Sequence, residues 1–183
     1  MFSEKSMPIR TERLDLLPGT RAVLEADLEG RNMLERTLRV EIPESWPPPL
    51  YDADAIGWML ERLAADQGFG AWGFRYFVHR AEAPAQGRAV GAGDFKGPPS
   101  PDGSVEVGYS VLPEFQRRGF ATEALKGLMA RAYDDPRVDH ILAETLPEPT
   151  PSIGVLHKAG FVLVGPGSEQ GVIRFEHRRT TDG

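Results

Sequence analysis

The stretch from Val105 to Thr145 constrains the fold more than any other part of the chain. It opens on an alternating apolar run, VEVGYSV, which reads as a strand. After Pro113 the period changes. Ala121, Ala124, Leu125, Leu128, Met129, Ala132 and Tyr133 recur at i, i+3, i+4, i+7, i+8, i+11 and i+12, with Glu123, Lys126 and Arg131 facing away. Past the break at DDP, VDHILAETL reads as a second strand. Strand, helix and strand in this order form a crossover, so the two strands must lie parallel in one sheet with the helix packed on its face.

Alternating elements fill the rest of the chain, and no internal repeat is present. Ile9 to Leu17 reads as a first strand ended by Pro18 and Gly19, and Thr20 caps a helix running toward Leu28 and on to Leu38. The prolines of EIPESWPPPLYD forbid regular hydrogen bonding, so this segment is a loop anchored by Trp46. Asp52 or Asp54 caps a helix whose apolar positions are Ile56, Met59, Leu60 and Leu63. Trp72 to Val78 alternates as a strand, AVGAGDFKG supplies another, and PPSPDG closes an antiparallel hairpin into the Val105 strand. After the crossover, Pro147, Pro149 and Pro151 stiffen a loop into a short helix, Ser152 to Ala159, stopped by Gly160. Phe161 to Val164 and Gly171 to Glu176 make two last strands around a mobile GPGSEQG turn, and the tail HRRTTDG frays.

At 183 residues the chain is most economically one domain spanning 1–183, with room for a sizeable core. A net charge of -6 argues against broad nucleic-acid binding, which needs a basic footprint, and favours cationic substrates. There is no cysteine, which removes disulfides, thiolate catalysis and cysteine metal sites. The four histidines, His79, His140, His157 and His177, have no ligand spacing, so no metal is expected. No apolar signal core or membrane-length stretch is present, and the expected compartment is the cytoplasm.

The crossover helix has an unusual entrance. Gln116-Arg117-Arg118-Gly119-Phe120-Ala121 puts positive charge where the helix dipole is already positive. A turn of successive N–H groups leading into a helix N-terminus forms a concave anion nest. Gly119 removes the side chain that would block close approach, and Ala121 keeps the entrance small. A bound pyrophosphate would satisfy both arginines and dipole; the alternative is a glycine turn with two solvated arginines. Neither GxxxxGK[ST] nor GxGxxG is present.

Four pieces in order, TERLDLLP, VEVGYSVLPEF, QRRGFATEAL and PSIGVLHKAGF, resemble the GCN5-related N-acetyltransferases, and among them the RimJ/RimL-like group. The third piece fits that family's Q/R-x-x-G-x-G/A acetyl-CoA motif. The resemblance implies an α/β fold: a mixed, mostly antiparallel sheet splayed between two parallel central strands, with helices on both faces. It implies acetyl-CoA in the wedge, its pantetheine arm against the backbone of Val111 and Leu112. Its pyrophosphate would meet the motif Gln116, Arg117, Arg118, Gly119, Phe120 and Ala121, with the Thr122 hydroxyl added. The implied reaction is transfer of an acetyl group to a primary amine, at a protein N-terminus or on a small molecule. Dimers are common in the family, so a homodimer is among the expected assemblies.

An ammonium is no nucleophile, so a base must take its proton. Glu106, on the strand beside the thioester, is the candidate; the alternative is an outward carboxylate or the partner of a nearby arginine. Glu144 on the facing strand is the reserve. The Leu112 N–H is the expected oxyanion donor. Where the family often carries a tyrosine acid this chain has Leu156, which leaves Ser152 as the nearby hydroxyl, or as a helix N-cap. Pro149 replaces the asparagine that usually bonds pantetheine. Acceptor choice falls to the segment holding Trp46, Tyr51 and Trp58, which either wall a pocket or anchor a loop and a core. The other reading is a non-catalytic acyl-CoA-binding module.

Overall fold

The computed structural model describes residues 7–81, 86–147 and 150–180. The strands are β1 (Ile9–Arg10), β2 (Leu14–Pro18), β3 (Arg75–His79), β4 (Arg88–Phe95), β5 (Ser104–Val111), β6 (His140–Thr145), β7 (Val162–Pro166) and β8 (Ile173–Arg178). The helices are α1 (Arg21–Glu29), α2 (Arg31–Leu38), α3 (Ala53–Ala65), α4 (Phe120–Tyr133) and α5 (Pro151–Lys158). Among the described residues eight strands form one sheet in the order β1-β2-β3-β4-β5-β6-β8-β7. Only β5 and β6 run parallel, as the crossover through α4 requires.

Two apolar clusters sandwich the sheet. On one face Phe120, Ala124, Leu125, Leu128, Met129 and Ala132 of α4 pack with Ile153 and Leu156 of α5 against Val105, Val107 and Ile141. On the other, Leu24 of α1, Leu34 of α2 and Ile56 and Met59 of α3 cover Phe74, Tyr76, Val78 and Ala92. Helices therefore lie on both faces, as expected. Among the described residues no helix is long and apolar enough to cross a membrane.

Several boundaries differ from the sequence reading for local reasons. The first strand is broken into β1 and β2 by a turn in which Thr11 N–H donates to Leu14 O at 2.9 Å. Thr20 caps α1, but the helix does not continue to Leu38: Gly30, at φ 128°, ends α1 and starts α2. Asp52, not Asp54, caps α3 through Ala55 N–H. A 3-10 turn over Gln67–Ala71 occupies the approach to β3, which starts only at Arg75. The tail is held as far as Arg179, whose guanidinium donates to Val138 O and Asp135 O at 2.8 and 2.9 Å. The β7–β8 turn is likewise fastened, because Ser168 donates its N–H and hydroxyl to Glu144 at 2.9 and 2.6 Å.

Candidate active site

The sheet parts at its parallel pair. Ser104 pairs with His140, Val105 with Ile141 and Glu106 with Leu142, and there the ladder stops. β5 stays paired with β4 as far as Val111 opposite Gly91. Leu112 N–H then donates to Val90 O at 2.9 Å. That bond corrects the expectation for Leu112, whose N–H is already occupied and is no oxyanion donor. Facing residues in an antiparallel pair alternate between bonded and unbonded. With Leu112 turned toward β4, Val111 and Tyr109 turn their peptide groups into the wedge.

The turn after β5 has the nest conformation. Arg117 and Gly119 both take left-handed backbone, at φ 60° and 84°. A non-glycine residue there costs about 1–2 kcal/mol, which the surrounding structure must offset. No side chain caps α4, so the N–H groups of its first turn are left for another acceptor. Phe120 buries its ring in the core and offers only backbone, while Ala121 and Thr122 are half-buried beside it. The Gln116 amide donates to Val111 O at 3.0 Å and so braces the turn from within, a use the sequence did not suggest. Arg118 lies over Phe115 and Phe120, 5.7 and 5.1 Å from their ring centroids.

Arg13 is a third cation at this entrance, beside Arg117 and Arg118, that sequence reasoning missed. Its guanidinium lies 4.7 Å from the Phe120 centroid, pairs with Glu123 at 2.8 Å and donates to Arg118 O at 3.1 Å. No local spacing joins the first hairpin to α4, so no sequence signal pointed there.

Glu106 sits half-buried at the fork. Burial and then repulsion from Glu144 push its carboxyl above the usual range, with a smaller push from Asp94, against Lys96 and Arg174. The nearby arginine is not free for Glu106: Arg174 binds Glu144 at 2.7 Å. Glu144 is thus held by Arg174 and Ser168 together, and although burial opposes them they keep its carboxyl below the usual range. A carboxylate so occupied is a poorer base than Glu106. On the Glu106 face, buried Asp94 accepts Tyr51 Oη at 2.7 Å. Gly108 makes room for that pair, since a Cβ there would lie 3.2 Å from Asp94 Oδ1.

On the opposite face, Tyr109 Oη lies 3.0 Å from Ser152 Oγ. Thr150 holds the N-cap position of α5 and makes no side-chain cap bond, so Ser152 is not the cap but a first-turn residue. Leu156 is fully buried. Pro149 lies outside the described residues.

Trp46, Tyr51 and Trp58 serve as anchors. Trp46 donates to Asp27 at 2.9 Å and stacks on Tyr76 at 5.7 Å, Tyr51 is buried, and Trp58 packs edge-on to Phe69. The loop is also tied to the turn before the nest through Ser45 and Glu114. Among the described residues no three His, Asp or Glu side chains gather as metal ligands would.

Comparison with known proteins gives three findings of one kind. The family model of the acetyltransferase (GNAT) domain matches residues 21–162. The uncharacterized N-acetyltransferase YjdG of Bacillus subtilis (strain 168) is 26% identical over 158 residues, which is 85% of this chain and 89% of that protein. Two solved structures share the fold. One is the acetyltransferase that modifies the N-terminal serine of ribosomal protein L7/L12 from Salmonella typhimurium, with a TM-score of 0.63, 13% identity and coverage of 95% of this chain and all 100% of that one. The other is the microcin C7 self-immunity acetyltransferase MccE in complex with acetyl-CoA and AMP, with a TM-score of 0.62, 13% identity and coverage of 97% and 100%.

Proposed function

The chain belongs to the acetyltransferase (GNAT) family, and from that membership we propose that it transfers the acetyl group of acetyl-CoA to a primary amine by direct attack. The observation that carries this reading is the fork at Glu106 combined with an uncapped, nest-shaped entrance to α4 at the far end of the same strand. A ligand suited to both has a long amide-bearing arm and a pyrophosphate. The arm extends β5 as an added strand would, meeting the peptide groups of Tyr109 and Val111. The pyrophosphate meets the N–H groups from Arg117 to Ala121, with Thr122 adding a hydroxyl.

The reaction then follows from the placement of groups. Glu106 takes the proton of the acceptor ammonium, and its raised pKa makes it the stronger base. The free amine attacks the thioester carbon, and the developing oxyanion accepts the wedge-facing N–H of Val111. The C–S bond breaks and CoA leaves. The acceptor is a protein N-terminus or a small-molecule amine, and the net charge of -6 favours a cationic one.

Release of free CoA in the presence of a panel of amines and N-terminal peptides tests the proposal. Turnover with one class supports it and names the acceptor. Acetyl-CoA binding with no turnover across the panel would instead support the non-catalytic module, a reading that the apolar, buried Leu156 favours.

A further inference from the structure

This inference rests on the acetyl-transfer reading and concerns the departing sulfur. Successive side chains of a strand point to opposite faces. Glu106 and Tyr109 are three residues apart on β5 and so lie on opposite faces: Glu106 on the side of Asp94, Tyr109 packed against the cluster under α4 and α5. From there Tyr109 Oη approaches Ser152 Oγ at 3.0 Å and Ser152 O at 3.4 Å. Ser152 lies in the first turn of α5, the helix that follows β6. One phenol therefore bridges the two lips of the fork, opposite the base and beside a peptide group that faces the wedge.

We propose that Tyr109 is a further catalytic residue, whose phenol donates a hydrogen bond to the CoA sulfur as the C–S bond breaks, with Ser152 as its positioning residue. After Glu106 has passed the ammonium's first proton to solvent, the free amine bonds to the thioester carbon, its surplus proton passes to Glu106, and the C–S electron pair goes to sulfur. Tyr109 keeps its own proton. Burial pushes the phenol up to about 12, against a lowering by Ser152, far above the roughly 8.5 of a thiol. Full transfer to the thiolate is therefore uphill, whereas donation stabilises the charge where it appears. The thiolate takes its final proton from water. Either hydroxyl of the Tyr109–Ser152 pair can donate. With Ser152 Oγ donating to Tyr109 Oη, the phenol hydrogen is held only by the long 3.4 Å bond it donates to Ser152 O, and it can leave that bond for the sulfur. Leu156, one turn beyond Ser152 on the same face of α5, offers no donor of its own.

CoA itself is the probe, so the test needs no acceptor. Thiolate absorbance in the ultraviolet follows the thiol titration of bound CoA in wild type, Tyr109→Phe and Ser152→Ala, with calorimetry for affinity. Tyr109→Phe should raise the bound thiol pKa by about one to two units, the weight of one hydrogen bond to a charged group. In turnover, kcat should fall about 10- to 100-fold with KM for the amine unchanged. Ser152→Ala should shift the thiol the same way by less, and it decides the matter if Tyr109→Phe does not fold. An unmoved thiol titration with CoA bound overturns the role of Tyr109 and leaves acetyl transfer standing. Failure of the wild type to bind CoA overturns both.

Discussion

Glu123 accepts the backbone N–H of Arg13 at 2.6 Å and its side-chain Nε at 2.8 Å, with Thr11 Oγ as a third donor at 2.5 Å. The first hairpin turn and the first turn of α4 are thereby one unit, and through Arg13 that unit also holds the Arg118 carbonyl of the nest. Burial alone would raise the Glu123 carboxyl, but the bonds from Thr11 and Arg13 outweigh it and hold the group below its usual range. A depressed carboxyl stabilises the fold above the ordinary carboxylate range, and that contribution is lost as pH falls through the folded value. Glu123→Gln should cost about 2 kcal/mol at neutral pH. The melting-temperature gap to wild type should close on acidification, and acetyl-CoA should bind more weakly at neutral pH.

At Gly119 charge can be separated from shape. A Cβ there would meet only Arg13 Nη2, at 3.2 Å, and aspartate and asparagine both tolerate left-handed backbone. Gly119→Asp should abolish the rise in melting temperature that acetyl-CoA produces in wild type. Gly119→Asn, of the same shape without the charge, should retain part of it. Equal shifts in the two variants would mean that no anion sits at this entrance.

Glu106→Gln should lower kcat/KM by about 10²–10⁴ at neutral pH with acetyl-CoA affinity unchanged. The loss should shrink at high pH, where more of the amine is already neutral. Because burial and Glu144 raise the folded pKa, ionising Glu106 opposes folding as pH climbs from the ordinary carboxylate range through the raised value. The glutamine variant should thus melt no lower than wild type at neutral pH. Thermal melts beside a pH–rate profile check both halves.

Glu144→Gln should show the reverse pattern. Weakening the hold on Arg174 and Ser168 should cost about 2 kcal/mol of stability at neutral pH, lost in acid because the wild-type carboxyl is depressed. The pH–rate profile should keep its acidic limb, moved to lower pH because the repulsion that helps to raise the Glu106 carboxyl is gone. A profile that loses its acidic limb would make Glu144 the base instead.

The crossover was legible because it is written in a local period, alternation in VEVGYSV and helical spacing from Ala121 to Tyr133, whereas the splayed sheet with helices on both faces followed from the family resemblance. The nest was legible for a related reason, since Gly119 and the doubled arginines lie next to one another. What escaped was long-range or directional. Arg13 reaches Glu123 from the other end of the chain, Tyr109 reaches Ser152 across a fork, and Gln116 turns back on Val111. Which side of β5 a given N–H faces depends on register with β4, so the sequence did not separate Leu112, whose N–H donates to Val90 O, from Val111. Gly30 was overlooked because a glycine inside a helical pattern signals equally a tolerated residue and a break.

The three residue pairs from Ser104 to Glu106 also set the mechanics of the molecule. They act as a fulcrum, with β1 to β5 forming one arm and β6, β8 and β7 the other. Glu106 is the last paired residue at this joint, so the ladder itself holds the proposed base in place, while the strand ends beyond it are linked through side chains such as Tyr109 and Ser152.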